Sequence, residues 1–433
     1  MNNFQTILTA VFVAFFVFAV LIFSGLLKIG DNAKTSSTPQ GKVVIWGTFA
    51  NTDLIKVFED TADANKDLII SYVKKPAAEY QQDLIEAFAA GTGPDLFIIT
   101  PDMIQKDEKF IYEIPYTSYP QKTFQDAFVD GSYVYLGTDG VIGFPIVSDP
   151  MVLYYNKNIL SNAGLAVPPA TWGELFALSN TLNQKKADGS FAQSMIALGQ
   201  YANVNNAKDI LATLLLQSGN PIVQRTDAGY TPTLNASNGQ SAQSPAEQVM
   251  NFYTEFSNPS DSAYSWNRSL PNSLDMFTQG KLAFYLGHAS ELFKIQSVNP
   301  NLSFDVTSIP QAKGAAVKRT AATIYAIAVN KKSQNISAAF SLAGILSAGD
   351  AAKNFAAAVS LPPASRALLA VKPTDPYLFT FFNSAIFAQA WLDPDAQGTD
   401  AVFKELVENI LSNKLSVDDA INKAQGELEL LTK

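Results

Sequence analysis

From residue 42 onward the sequence predicts an α/β fold, and three observations carry that reading. Short apolar runs alternate with amphipathic stretches in the order strand, helix, strand, helix, strand between residues 43 and 99. The composition is that of a globular chain, with 47% hydrophobic, 11% aromatic and 16% charged residues over 433 positions. Gly91, Gly93 and Pro94 punctuate the second helix in the way a helix end requires, because glycine accepts left-handed backbone and proline blocks continuation.

The elements follow in order. Residues 43–46 (VVIW) form a short apolar run bounded by a turn, the mark of a buried strand. In residues 53–63 Leu54, Ile55, Val57 and Phe58 fall in helical register. Residues 68–73 read as a second strand, 80–90 as a second helix and 96–99 (LFII) as a third strand. A β-α-β-α-β order implies parallel strands with helices on both faces, and ligands of such sheets gather at the carboxyl ends of the strands. The loops at 47–52 and 100–104 follow two such ends. Residues 140–157 are strand-like with Gly and Pro interruptions. Helices are expected at 171–185, 208–217 and 246–256, strands at 282–286 and 323–329, a helix at 337–346, and two terminal helices within 400–431. Thr171 with Glu174 three residues later forms a capping-box pattern, so the neighbouring Trp172 reads as a packing residue. No internal repeat is present.

Charge and composition exclude several functions. A net charge of −9 and the absence of a basic stripe argue against a nucleic-acid partner. With no cysteine and one histidine, disulfides, thiolate sites, cysteine nucleophiles and histidine-cluster metal sites all fall away. No metal and no cofactor are expected.

The first 29 residues are read as a membrane anchor. Residues 7–27 are apolar and uncharged, and about 21 residues at roughly 1.5 Å each span a hydrocarbon core of about 30 Å. A cleaved signal peptide is the rival. It expects a basic start and a small-x-small cleavage step, and residues 1–6 carry no Lys or Arg. Lys28 and Lys34 follow the span, so basic residues do not favour an outward orientation; that orientation rests on the function assigned below. Residues 30–41 (GDNAKTSSTPQG) are small, polar and broken by Pro39, and read as a flexible tether.

Several motifs then occur in one order: VVIWGTF at 43–49, AAGTGPDLFII at 89–99, GFPIVSDPMVLYYNKNILSNAGL at 143–165, PPATWGELFALSNTL just after it, SLDMFTQGKLAFYLG at 273–287, TIYAIAVNKKSQN from 323, and LSVDDAINKAQGEL near the end. With these the chain resembles the family 1 extracellular solute-binding proteins of ABC transporters, the maltose-binding-like group, across nearly everything from Val43 to Leu431. The resemblance implies the two-lobe periplasmic-binding-protein fold of type II, each lobe a mostly parallel sheet flanked by helices. Lobe 1 would comprise 42–139 and 309–359, and lobe 2 would comprise 140–308 and 360–433. It further implies a receptor without catalysis that closes by hinge motion on a small polar ligand, a sugar or oligosaccharide, and presents it to the membrane subunits of an ABC importer.

A sugar site needs aromatic faces for stacking and carboxylates or amides for hydroxyl groups, converging on an apolar lining. Phe49 and Asn51 lie in the loop after the first strand, with site and surface roles both open. The resemblance puts Asp102 at the family's hydroxyl-binding position, Asp149 near the crossover between lobes, His288 in a glycine-led cleft loop, and Tyr325 on a cleft-lining strand. A neutral His288 imidazole would bond a hydroxyl or serve structure. Tyr201 follows residues 195–198 and is a stacking candidate, while Trp266 and Trp391 stand in polar loops, suited to ligand stacking or to capping a lobe edge. The family's tryptophan after that glycine is replaced by Ala289 and Ser290, which counts against a maltodextrin-specific site. Two other classes share these features. One is a sensory domain that serves no importer. The other is a carbohydrate-active enzyme using a carboxyl pair such as Asp102 and Asp149, for which no catalytic motif is found.

Overall fold

The first strand, β1 (Gly41–Gly47), buries Val43, Ile45 and Gly47 on one side, the alternation expected of a pleated chain. The structure is a computed structural model and describes residues 41–49, 52–227, 229–237, 239 and 243–433. The expected anchor, the tether before Gly41 and the candidate Asn51 lie outside the described residues. Among the described residues no helix is long and apolar enough to cross a membrane.

Helix α1 (Thr52–Ala64), β2 (Leu68–Lys74), α2 (Tyr80–Ala90) and β3 (Leu96–Ile99) follow where the periodicity puts them. Gly91 closes α2 in the left-handed region, at φ 71°, and its amide bonds back to the last turn. β1 pairs in parallel with both β2 and β3. β4 (Phe144–Asn156) is the longest strand, buried at every position except Tyr155. Next come β5 (Phe191–Ile196), α3 (Ala207–Gln217), β6 (Leu282–His288), β7 (Phe304–Ser308) and β8 (Thr320–Val329). The remaining helices needed here are α4 (Ile336–Leu346), α5 (Gly349–Val359), α6 (Pro376–Ile386), α7 (Ala396–Leu411) and α8 (Val417–Leu431).

One mixed sheet runs through the molecule in the order β2-β1-β3-β8-β4-β6-β5, with β7 also on β4. β8 and β4 join its two halves. The first part of β4 pairs with β8, whose far end pairs with β3; residues 151–156 of β4 pair with β6 and β7. The expectation of mostly parallel sheets therefore needs correction. β8 runs antiparallel to β3 and β4, and β4 antiparallel to β6 and β7. A strand that leaves one half to enter the other must run against its neighbours, and β-α-β order in the first hundred residues carries no sign of that.

Helices α4 and α5 pack on the β1 half, and α6 packs on β4 and β7. The helix expected at 171–185 is broken into Trp172–Ala177 and Ser179–Leu182, followed by a short strand on β5. The capping box at Thr171 is formed, with Glu174 N–H donating to the Thr171 hydroxyl at 3.2 Å and the Glu174 carboxylate accepting from the Thr171 amide at 3.2 Å. Trp172 is buried, as expected, and its Nε1 donates to Gln217 at 2.7 Å.

Candidate functional site

A cavity of about 210 Å³ opens where the two halves of the sheet meet. Its walls are the turn after β3 (Pro101, Asp102), the start of β8 (Ala321, Ala322, Thr323), the first turn of α3 (Lys208, Asp209), and the segment leading into α7 (Trp391, Asp393, Ala396). Each wall has a local cause. Pro101 opens a tight turn directly after the buried β3, so Asp102 is delivered to the strand's carboxyl end. Small side chains on β8 leave the floor open.

Helix α3 is buried from Ile210 to Leu216 and apolar there except for Thr213, which fixes its charged first turn at the cavity. Asn206, just before it, sits in the left-handed region at φ 59°, and its side-chain amide donates to Glu291 Oε1 at 2.6 Å. That bond holds the entry to α3 in place.

The charges on this wall are each paired, in two groups. Lys208 Nζ donates to Asp393 Oδ2 at 2.7 Å, to the Ala396 carbonyl at 3.1 Å and to Thr399 Oγ1 at 3.2 Å. Thr399 Oγ1 donates in turn to Asp393 Oδ1 at 2.8 Å. Burial works against the charge on Lys208, but Asp393, Asp209 and Asp102 outweigh it and raise its pKa. Burial raises the Asp393 pKa, with Lys208 and Thr399 acting against it. Behind Asp209 stands His288, whose Nε2 meets Asp209 Oδ2 at 3.2 Å and whose Nδ1 meets the Asp149 carbonyl at 3.1 Å. Both partners only accept, so both ring nitrogens donate. Burial disfavours the imidazolium, yet the bond to Asp209 and the carboxylates of Asp149, Asp209 and Glu291 push the pKa up to about 10.

Of the nine candidate residues, Asp102 and Trp391 line the cavity. His288 and Asp149 lie behind it. Of the two roles left open for His288, the geometry favours the structural one: both ring nitrogens are taken, and the neighbouring carboxylates favour the charged ring. Asp149 is 4% exposed, and its Oδ1 accepts from the Ser290 amide at 2.9 Å, so it braces the loop and does not face the cavity. Phe49 and Tyr325 pack against each other as a tilted pair with centroids 4.9 Å apart, and Phe49 also packs edge-on against Phe355. Tyr201 donates to Asp400 Oδ1 at 2.7 Å and lines a different cavity. Trp266 has no exposed surface and its Nε1 donates to Asn203 at 3.1 Å; it is a core residue, and its polar neighbours in sequence concealed that.

Lys208, Asp209 and Asp393 were missed. The available signal was a Lys-Asp pair heading an otherwise apolar helix, and a buried charge of that kind demands partners. Asp393, 184 residues away from Asp209, carried none.

Beside the cavity, the segment after Asp102 touches the opposite half. Lys106 forms an ion pair with Asp395, Gln105 Nε2 donates to the Leu431 carbonyl at 3.3 Å, and the Tyr230 hydroxyl donates to Glu108 at 3.2 Å.

Comparison with known proteins agrees with this geometry. The chain is 24% identical over 287 residues to a galactooligosaccharide-binding protein of Bacillus subtilis, a match covering 66% of this chain and 63% of that relative's length. In structure it resembles a cyclic alpha-maltosyl-1,6-maltose binding protein from Arthrobacter globiformis, with TM-score 0.73, 18% identity and coverage of 91% of this chain and 99% of that one. It also resembles an ABC substrate-binding protein from Listeria monocytogenes in complex with cycloalternan, with TM-score 0.64, 18% identity and coverage of 89% and 97%. These likenesses establish the fold as the α/β two-lobe periplasmic-binding-protein fold. The sequence pattern of one family matches residues 54–378, three quarters of the chain, and the chain belongs to it: the bacterial extracellular solute-binding proteins.

Proposed function

We propose that this protein is an extracytoplasmic receptor that captures a saccharide in the cavity between its two lobes and passes it to an ABC importer. The observation that carries this reading is the cavity itself, which draws its walls from both halves of the sheet, so that a guest held there bridges them. Asp102 supplies a carboxylate and Trp391 an indole to the same space, the two group types that hydroxyls and sugar ring faces require. Relatives and structural neighbours named for galactooligosaccharide, cyclic maltosyl-maltose and cycloalternan support a carbohydrate.

The lobes would be 42–139 with 309–359, and 140–308 with 360–433. The packing of α4 and α5 on the β1 half and of α6 on β7 supports those limits. β4 and β8 would be the crossovers, and the Lys106–Asp395 pair a contact of the closed state. Residues 1–29 would tether the receptor to the membrane with the lobes outside. Asp102 and Trp391 are the proposed ligand contacts, Phe49 and Tyr325 a supporting aromatic wall, and no residue is assigned a catalytic role.

Titration calorimetry of the full chain with a panel of mono- and oligosaccharides, polyols and peptides tests the proposal. Micromolar or tighter binding of one saccharide class is expected; heat only with peptides, or with nothing in the panel, would refute it. Loss of uptake when the neighbouring permease is deleted separates transport from sensing.

A further inference from the structure

The cavity carries a charge pattern that bears on which saccharides it accepts, an inference that rests on the receptor reading above. Three carboxylates line it, those of Asp102, Asp209 and Asp393, against a single ammonium, that of Lys208. An ammonium has three N–H donors. All three of Lys208 are already directed to Asp393, the Ala396 carbonyl and Thr399. Of the cations beside the cavity, His288 spends both ring N–H groups on Asp209 and the Asp149 carbonyl, and Lys106 is paired with Asp395. Among the described residues, no basic side chain lining the cavity keeps a free donor for an anion.

Helix N-termini are the other source of positive potential in such a cleft. Two reach this one, and each already has an internal acid. Asp209 stands in the first turn of α3, and Asp395 caps α7 through the Gly398 amide. Asp102, by contrast, has no hydrogen-bond or ion-pair partner among the described residues, and its charge is felt at both Lys208 and Asp393. An incoming negative group would meet that bare carboxylate with nothing to offset it.

We propose that the cavity selects uncharged saccharides, accepts amino-substituted ones, and rejects those carrying carboxylate or phosphate groups. Asp102 is the residue that enforces the rejection.

The test is calorimetry with the full chain against neutral gluco-, galacto- and manno-oligosaccharides. For each backbone, the form oxidised to a uronate at C6 and the 6-amino-6-deoxy form are included. The expected result is that the oxidised form binds at least tenfold more weakly than its neutral parent, while the amino form binds at least as tightly. In Asp102→Asn the gap between neutral and oxidised forms should shrink severalfold, and raising the salt concentration should shrink it in the native chain. An oxidised form that binds as well as its parent, or a gap untouched in Asp102→Asn, overturns this proposal while the receptor reading stands. Binding of no saccharide, charged or neutral, overturns both.

Discussion

On one wall of the cavity Asp102 stands on a tight turn with no partner among the described residues; on the other, Lys208 and Asp393 are bonded to each other and to Thr399, and Asp209 is bonded to His288. The two walls carry the same kinds of side chain and use them in opposite ways. Charges that are buried must be paired, because leaving one unpaired costs several kcal/mol. The wired wall is therefore part of the folded structure and is in place before any ligand arrives. A half-exposed carboxylate carries no such obligation and stays available to a guest. The comparison teaches that the residues which hold the cavity in shape are distinct from those free to bind in it, and it can be broken by mutation.

The largest effect is expected at the wired wall. Asp393→Ala strands the Lys208 ammonium and should destabilise the protein by about 3–5 kcal/mol in urea unfolding. The double variant Lys208→Met with Asp393→Leu should regain most of that loss, since replacing a buried pair by apolar groups is often neutral. A native unfolding midpoint for Asp393→Ala would erase the distinction between the walls.

His288 gives the same wall a pH signature. Its folded pKa of about 10 lies above the ordinary histidine value of 6.5, so its contribution is fully present below about pH 6.5 and disappears as pH rises through 10. Relative to His288→Gln, the native chain should be more stable by on the order of 5 kcal/mol at pH 6, with the difference gone near pH 11. A difference that does not change with pH would show that the ring is not an imidazolium.

On the bare wall the sign of the result separates binding from folding. Asp102→Ala should weaken saccharide binding by about 1–3 kcal/mol and leave the unfolding free energy within about 0.5 kcal/mol. A fall in stability with unchanged affinity would move Asp102 to the structural side. The smallest effect belongs to the contact beside the cavity. Lys106→Ala removes a partly exposed ion pair and should cost only about 0.2–1 kcal/mol, seen as a small rise in the scattering radius of the unliganded protein. No change in radius would mean that the Lys106–Asp395 pair does not bias closure.

The elements were legible far better than the site. The second helix and the third strand fall where expected, at Tyr80–Ala90 and Leu96–Ile99, because apolar periodicity is a local property that survives into the fold. β7 and the hairpin of Val223–Thr226 with Gly229–Pro232 were not foreseen; one is short with alternating polarity, and the other is a two-stranded ribbon with few buried positions. Asp102 and Trp391, the two candidates that line the cavity, each carry a positional or compositional sign in the sequence. Lys208 and Asp393 were not, since 185 positions separate two residues that meet at 2.7 Å.

The sequence by itself determined the α/β class, the capping box at Thr171, the left-handed helix end at Gly91 and, through its order of motifs, the family. All of these rest on interactions among near neighbours along the chain. Only the tertiary structure decided that Trp266 is core, that His288 is a saturated cation, and that two strands run antiparallel through both halves of the sheet. Each of those depends on which distant groups share a buried space, and burial is where an unpaired charge or an unfilled donor becomes too costly to leave.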